Sequence, residues 1–167
     1  MGGRLASFRV GIVVALLAAL GTGVLIGQAV GLDRTPAAKR TALAQTDRVQ
    51  GAPKRELVLS EVIVPPGARL ALHHHLGTQV ARVASGTLTY TVRKGSAVVS
   101  RGDSELDPKV VRTIEAGQTA AIRAGQWIVE QPSDIHEAAN RGSAPVTIHI
   151  ATLLKKGAPP ATPVASP

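Results

Sequence analysis

The chain has 167 residues, a net charge of +8, no cysteine, and a single Trp, Tyr, Phe and Met. The missing cysteine excludes disulfides, thiolate zinc sites and a cysteine nucleophile. The Lys and Arg residues form no run and no stripe interleaved with aromatics, so nucleic acid is not an expected partner. The charge is read instead as an aid to solubility and as an attraction to anionic lipid.

The first element is an apolar run at residues 10–32, "VGIVVALLAALGTGVLIGQAVGL", without a charged residue and preceded by Arg4 and Arg9. It matches the roughly 20 residues a helix needs to span a bilayer. Residues 1–32 are therefore read as a signal anchor or transmembrane segment that brings the chain to a membrane. Cleavage after Ala29 or Ala44 is the alternative. Arg34, Lys39 and Arg40 follow the run, so the positive-inside rule does not by itself orient it. An extracytoplasmic domain is the preferred reading; a secreted domain and a cytoplasm-facing one are the alternatives. Residues 33–54, polar and interrupted by Pro36 and Pro53, read as a linker.

From residue 55 the patterns have period two. "ELVLSEVIV" is β-branched and apolar, and Pro65, Pro66 and Gly67 stop it. "TLTYTV" sets Leu88, Tyr90 and Val92 against Thr87, Thr89 and Thr91. "SAVVS", "VVRTIEA", "TAAIRA", "QWIVEQ" and "PVTIHIATLL" follow, separated by Gly or charged breaks. Short strands at near-regular spacing predict an all-β antiparallel sandwich or barrel over residues 55–156. Trp127 is assigned to its core. The Pro/Ala tail at 157–167 is expected to be disordered.

Five histidines occur, three of them consecutive at His73, His74 and His75. Alternation along a strand puts His73 and His75 on one face and His74 on the other. Two imidazoles two residues apart on one face can converge on a metal ion. Gln79 past a turn and His136 from a distant segment are candidate further ligands. His149, flanked by Ile148 and Ile150, is read as a satisfied non-ligand. Asn140 is assigned to a turn. Arg82 and Tyr90 are wall or surface residues with a second reading as contacts to a ligand carboxylate. Glu130, Asp134 and Glu137 lie near His136, and the sequence does not say whether any of them faces a barrel interior.

The spacing Gly67-x5-His73-x-His75-x3-Gln79-x6-Gly86 resembles the first motif of the cupin superfamily, Gly-x5-His-x-His-x3-4-Glu-x6-Gly. Residues Gly125, His136 and Asn140 fall at the intervals of its second motif. The resemblance covers about residues 55 to 155 and implies a single-domain cupin, a small antiparallel β-barrel of the jelly-roll type. By resemblance His73, His75, Gln79 and His136 occupy the four metal-ligand positions, with Gln79 where the family has Glu. The second motif's Pro and Gly are Gln131 and Ser133, with Pro132 between them. The implied cofactor is a divalent transition metal: Zn, Fe, Mn, Ni or Cu. Three functions follow as expectations. One is a metal-dependent enzyme acting on a small molecule, the second a non-catalytic binder of a metal or small ligand, and the third a structural homodimer without metal.

Overall fold

The computed structural model describes residues 36–102 and 107–165. The apolar run at 10–32 lies outside the described residues, and with it the expected membrane segment. Among the described residues no helix is long and apolar enough to cross a membrane.

Twelve strands follow one another: β1 (Lys39–Thr46), β2 (Arg55–Val64), β3 (Arg69–His74), β4 (Gly77–Ser85), β5 (Thr87–Lys94), β6 (Ser96–Arg101), β7 (Lys109–Glu115), β8 (Thr119–Arg123), β9 (Gln126–Glu130), β10 (Ile135–Ala139), β11 (Val146–Lys155) and β12 (Thr162–Pro163). They form a seven-stranded sheet, β1-β2-β11-β4-β9-β6-β7, and a five-stranded sheet, β12-β3-β10-β5-β8. The central pairings, such as β11 with β2 and with β4, are antiparallel. The all-β antiparallel architecture is the one the alternation predicts.

The alternation also sets which side chains meet between the sheets. Leu88, Tyr90 and Val92 of β5 are buried, while the intervening threonines are not. Val62 and Val64 of β2, Val83 of β4, Ile122 of β8, Ile128 of β9, and Ile148 and Ile150 of β11 complete one aliphatic core. Each such side chain contributes about 1.5–3 kcal/mol when fully buried, which lets a core almost without aromatics hold the sheets together. Turns place the strands in register. Gly67 (φ 76°) and Gly86 (φ 79°) open and close the first motif in left-handed backbone that other residues adopt only with strain.

Three assignments need correcting. Within the expected linker 33–54, Lys39–Thr46 is a strand paired antiparallel with β2. Its residues are exposed apart from Arg40, so it is held by backbone hydrogen bonds at a sheet edge, and no apolar alternation marks it. The expected disordered tail 157–167 contributes β12, where Thr162 and Pro163 pair with His74 and His73 of β3. Val164 N–H also donates to the Leu72 carbonyl at 3.0 Å. An extended Pro-rich segment suits a sheet edge, where the missing N–H faces away from the ladder. Trp127 is only half-buried, because β9 turns Ile128 and Glu130 inward and Trp127 and Val129 outward.

Candidate metal centre and its cavity

Between the sheets lies a cavity of about 350 Å³. Most of its wall is aliphatic, including Val62, Val83, Leu88, Ile122, Ile148 and Ile150, and its polar lining includes His73, His75, Gln79, Tyr90, Glu130 and His136. Ala38 and Arg40 from β1 and its approach, and Ala161 and Pro163 at β12, line the same cavity. The two segments read as attachments are therefore part of its wall.

The structure brings together His73, His75 and His136, with one ring nitrogen of each inside 4.8 Å of the others. β3 carries His73 and leads into His75, and β10 places His136 directly opposite His73. His75 and His136 are 1% and 2% exposed. His74 does not line the cavity, as the alternation requires. His149 points outward, its Nε2 3.7 Å from Glu61 Oε2.

Hydrogen bonds fix the tautomers of two rings. The Nδ1–H of His73 donates to the Ala71 carbonyl at 2.6 Å, and that of His75 to the Pro160 carbonyl at 2.7 Å. In each neutral ring Nε2 therefore carries the lone pair, the arrangement in which a backbone acceptor orients a metal-ligating imidazole, and that of His75 accepts from the Gln79 amide. His75 Nε2 lies 3.3 Å from His136 Nε2. His136 Nδ1 is buried without a partner.

Gln79 is buried beside His75 but presents its amide nitrogen to the cluster. Its Nε2 donates to His75 Nε2 at 2.7 Å and also to a carboxylate oxygen of Glu130. Gln79 Oε1 has no partner. Glu130 is the functional group that sequence reasoning left unplaced. It is 4% exposed and accepts a hydrogen bond from the Tyr90 hydroxyl at 2.9 Å. Its oxygens lie 3.2 Å from His136 Nε2 and 3.5 Å from His75 Nε2. Tyr90 stacks on the His136 ring, centroids 5.0 Å apart. The signal for Glu130 was its spacing: it shares a face with Ile128, which pairs with the inward Ala81. Of the other acids near His136, Glu137 pairs with Arg93 on the exterior, and Asp134 accepts from the Gln131 N–H within a turn.

Burial decides the protonation states. It pushes His136 down to about 4, with the His73 and His75 charges adding and Glu130 opposing. Burial likewise lowers His75 against the pull of Glu130. Both rings are neutral at pH 7, the form that ligates metal. Burial works to raise the Glu130 carboxyl. The charge that His136 or His75 carries when protonated in acid, and the hydrogen bonds from Gln79 and Tyr90, favour the carboxylate and hold it below its usual range, so Glu130 is an anion at pH 7. Burial and the Glu130 charge drive Tyr90 well above its usual value, leaving a phenol that only donates toward the carboxylate.

Two other residues have plain roles. Asn140 donates from Nδ2 to the Val64 and Ala144 carbonyls, each at 2.8 Å, and accepts from Gly142 N–H at 2.9 Å. It clips the turn after β10 to the end of β2. Arg82 is exposed on the outer face and does not line the cavity.

No family model matches the chain, and no curated protein matches it. Solved structures do. A Cellulomonas parahominis L-ribose isomerase with L-psicose is 16% identical with a TM-score of 0.56, over 77% of this chain and 69% of that one. The Geodermatophilus obscurus L-ribose isomerase is 15% identical with a TM-score of 0.56, over 77% and 70%. An RmlC-like cupin from Shewanella frigidimarina is 17% identical with a TM-score of 0.46, over 72% and 78%. Identities this low establish a shared architecture alone, the antiparallel β fold of the two isomerases.

Proposed function

We propose that this cupin-fold domain binds a divalent transition metal through His73, His75 and His136, with Glu130 as the anionic donor and Gln79 holding that carboxylate in place. The observation that carries this reading is the convergence of three buried or half-buried imidazoles. The residues fit such an ion. Two ring nitrogens 3.3 Å apart suit donors sharing one centre at about 2.0–2.1 Å from each. When bound, the ion supplies a Lewis acid beside an apolar cavity. Tyr90 and Gln79 keep Glu130 ionised and aimed at the histidines, and the aliphatic walls exclude water.

The ligand set does not name the metal. Zn, Fe, Mn, Ni and Cu all accept imidazole and carboxylate. Isomerisation of a free sugar, which the names of two similar structures would suggest, draws little support from a wall of Val62, Val83, Ile122, Ile148 and Ile150. Such a wall leaves sugar hydroxyls without partners. The apolar run at 10–32 supports a further proposal, that the domain is tethered to a membrane with its cavity on the extracytoplasmic side.

Metal analysis of the full chain after reconstitution with each ion tests the reading. About one equivalent of one ion is expected, and it should fall away in His75→Ala and His136→Ala. Absence of binding by any of the five ions overturns it.

A second reading, a homodimer, is favoured by one feature. Leu59, Ala151, Val80 and Val129 pair in a continuous row across the outer face of the seven-stranded sheet. Leu59 and Val80 are 42% and 41% exposed. Light scattering with Val80→Glu tests it: a dimer that dissociates supports the face, and a monomeric unmodified chain removes it.

A further inference from the structure

One flank of the cavity carries positive charge that the metal reading does not use. Arg40 stands on β1 opposite Val62, a core residue, and with Arg69 of β3 it lines the cavity. Arg40 is half-buried, and its one side-chain hydrogen bond is long, 3.4 Å to Ser60 Oγ. Among the described residues neither arginine is paired with a carboxylate. Glu130 is the one acidic residue in the wall, and Gln79 and Tyr90 already occupy it. A partly desolvated guanidinium without a counter-ion is costly unless an anion completes it. Its planar fork matches a carboxylate. Burial lowers the Arg40 pKa against the opposing charge of Glu130, as expected for a cation drawn off solvent toward the interior.

The remainder of the wall limits what the anion is attached to. Val62, Val83, Leu88, Ile122, Ile148 and Ile150 offer no polar partner. A volume of about 350 Å³ lies near the lower end of the roughly 300–1,000 Å³ typical of ligand pockets. Polar groups on the part of a ligand that faces these residues would meet hydrocarbon.

We infer that the cavity takes a short aliphatic monocarboxylic acid, its carboxylate held by Arg40 and its hydrocarbon chain against the β2, β4, β8 and β11 walls. The inference rests on the cavity being a ligand site, as proposed above, and does not require that the metal be present.

Calorimetric titration of the full chain with hexanoate, 1-hexanol and L-ribose tests it, in chelator-stripped and metal-loaded protein. Hexanoate is expected to bind in both states and to weaken about tenfold or more in Arg40→Gln. Arg40→Lys should recover part of that loss. 1-Hexanol should bind more weakly than the acid and respond little to Arg40→Gln. On the unmodified protein, affinity should rise roughly threefold to fourfold per CH₂ from acetate to hexanoate, which keeps the test open if Arg40→Gln does not fold. The inference is overturned if hexanoate does not bind, if the chain-length series is flat, or if Arg40→Gln binds hexanoate unchanged. It is equally overturned if metal removal alone abolishes hexanoate binding, since the carboxylate then sits on the ion, or if L-ribose binds as tightly. Failure of the metal reading shows separately, as absence of metal with hexanoate binding intact.

Discussion

Gln79 of β4 and Glu130 of β9 are directly paired across neighbouring strands, and their side chains are hydrogen-bonded inside the cavity. The carboxylate expected at position 79 is thus supplied one strand away. The amide of Gln79 and the acid of Glu130 stand side by side on the ladder, and the cavity wall carries one carboxylate among the described residues.

This pairing predicts opposite outcomes for two substitutions. Glu130→Gln should weaken metal binding by about 10–100-fold, measured by competition with a chelator. Gln79→Glu should instead set two carboxylates against each other. Its metal-free form should melt below the parent at pH 7, and added divalent metal should raise its melting temperature by more than the parent's.

The triplet at 73–75 supplies a control. His74→Ala should leave metal affinity unchanged, whereas His75→Ala should abolish stoichiometric binding. Equal losses in the two variants would mean that β3 presents the other face to the cavity.

Stability of the metal-free protein should fall with acid over a definite window. His136 is held at about 4 against an ordinary 6.5, so between these values the unfolded chain binds the proton that the folded one refuses. Stability is therefore complete above pH 6.5 and declines as pH falls toward about 4, by on the order of 3 kcal/mol from this ring at most. Glu130, held below its usual 4.5, extends the decline in the same direction at lower pH. Denaturant titrations at stepped pH should show His136→Gln flattening the upper part of this dependence.

Ending the chain after Ala158 removes β12 and the carbonyl that accepts from His75 Nδ1–H. Metal affinity should drop about 10–100-fold, and amide exchange in β3 should quicken. Pro160→Ala keeps the carbonyl and should bind as the parent does.

Much of this is legible in the sequence, and the exceptions share a cause. Alternation in "TLTYTV" and "RLALHHH" carried both the sheet and the split among the three histidines, because hydrophobic or ligating residues fell on one face. In "QWIVEQ" the same rule misleads. The larger apolar pair, Trp127 and Val129, faces outward, and the charged Glu130 faces inward because Gln79 and Tyr90 solvate it there. β1 and β12 are held at sheet edges by main-chain pairing, which leaves no mark in side-chain pattern. Arg40 lies on β1, so its place in the cavity wall leaves no mark in the pattern either.

The hydrogen bond from His75 to Pro160 spans 85 positions. Eight strands, β4 to β11, lie between the two residues, so the tautomer of this ring depends on long-range closure of the chain onto β3 and not on its neighbours in sequence.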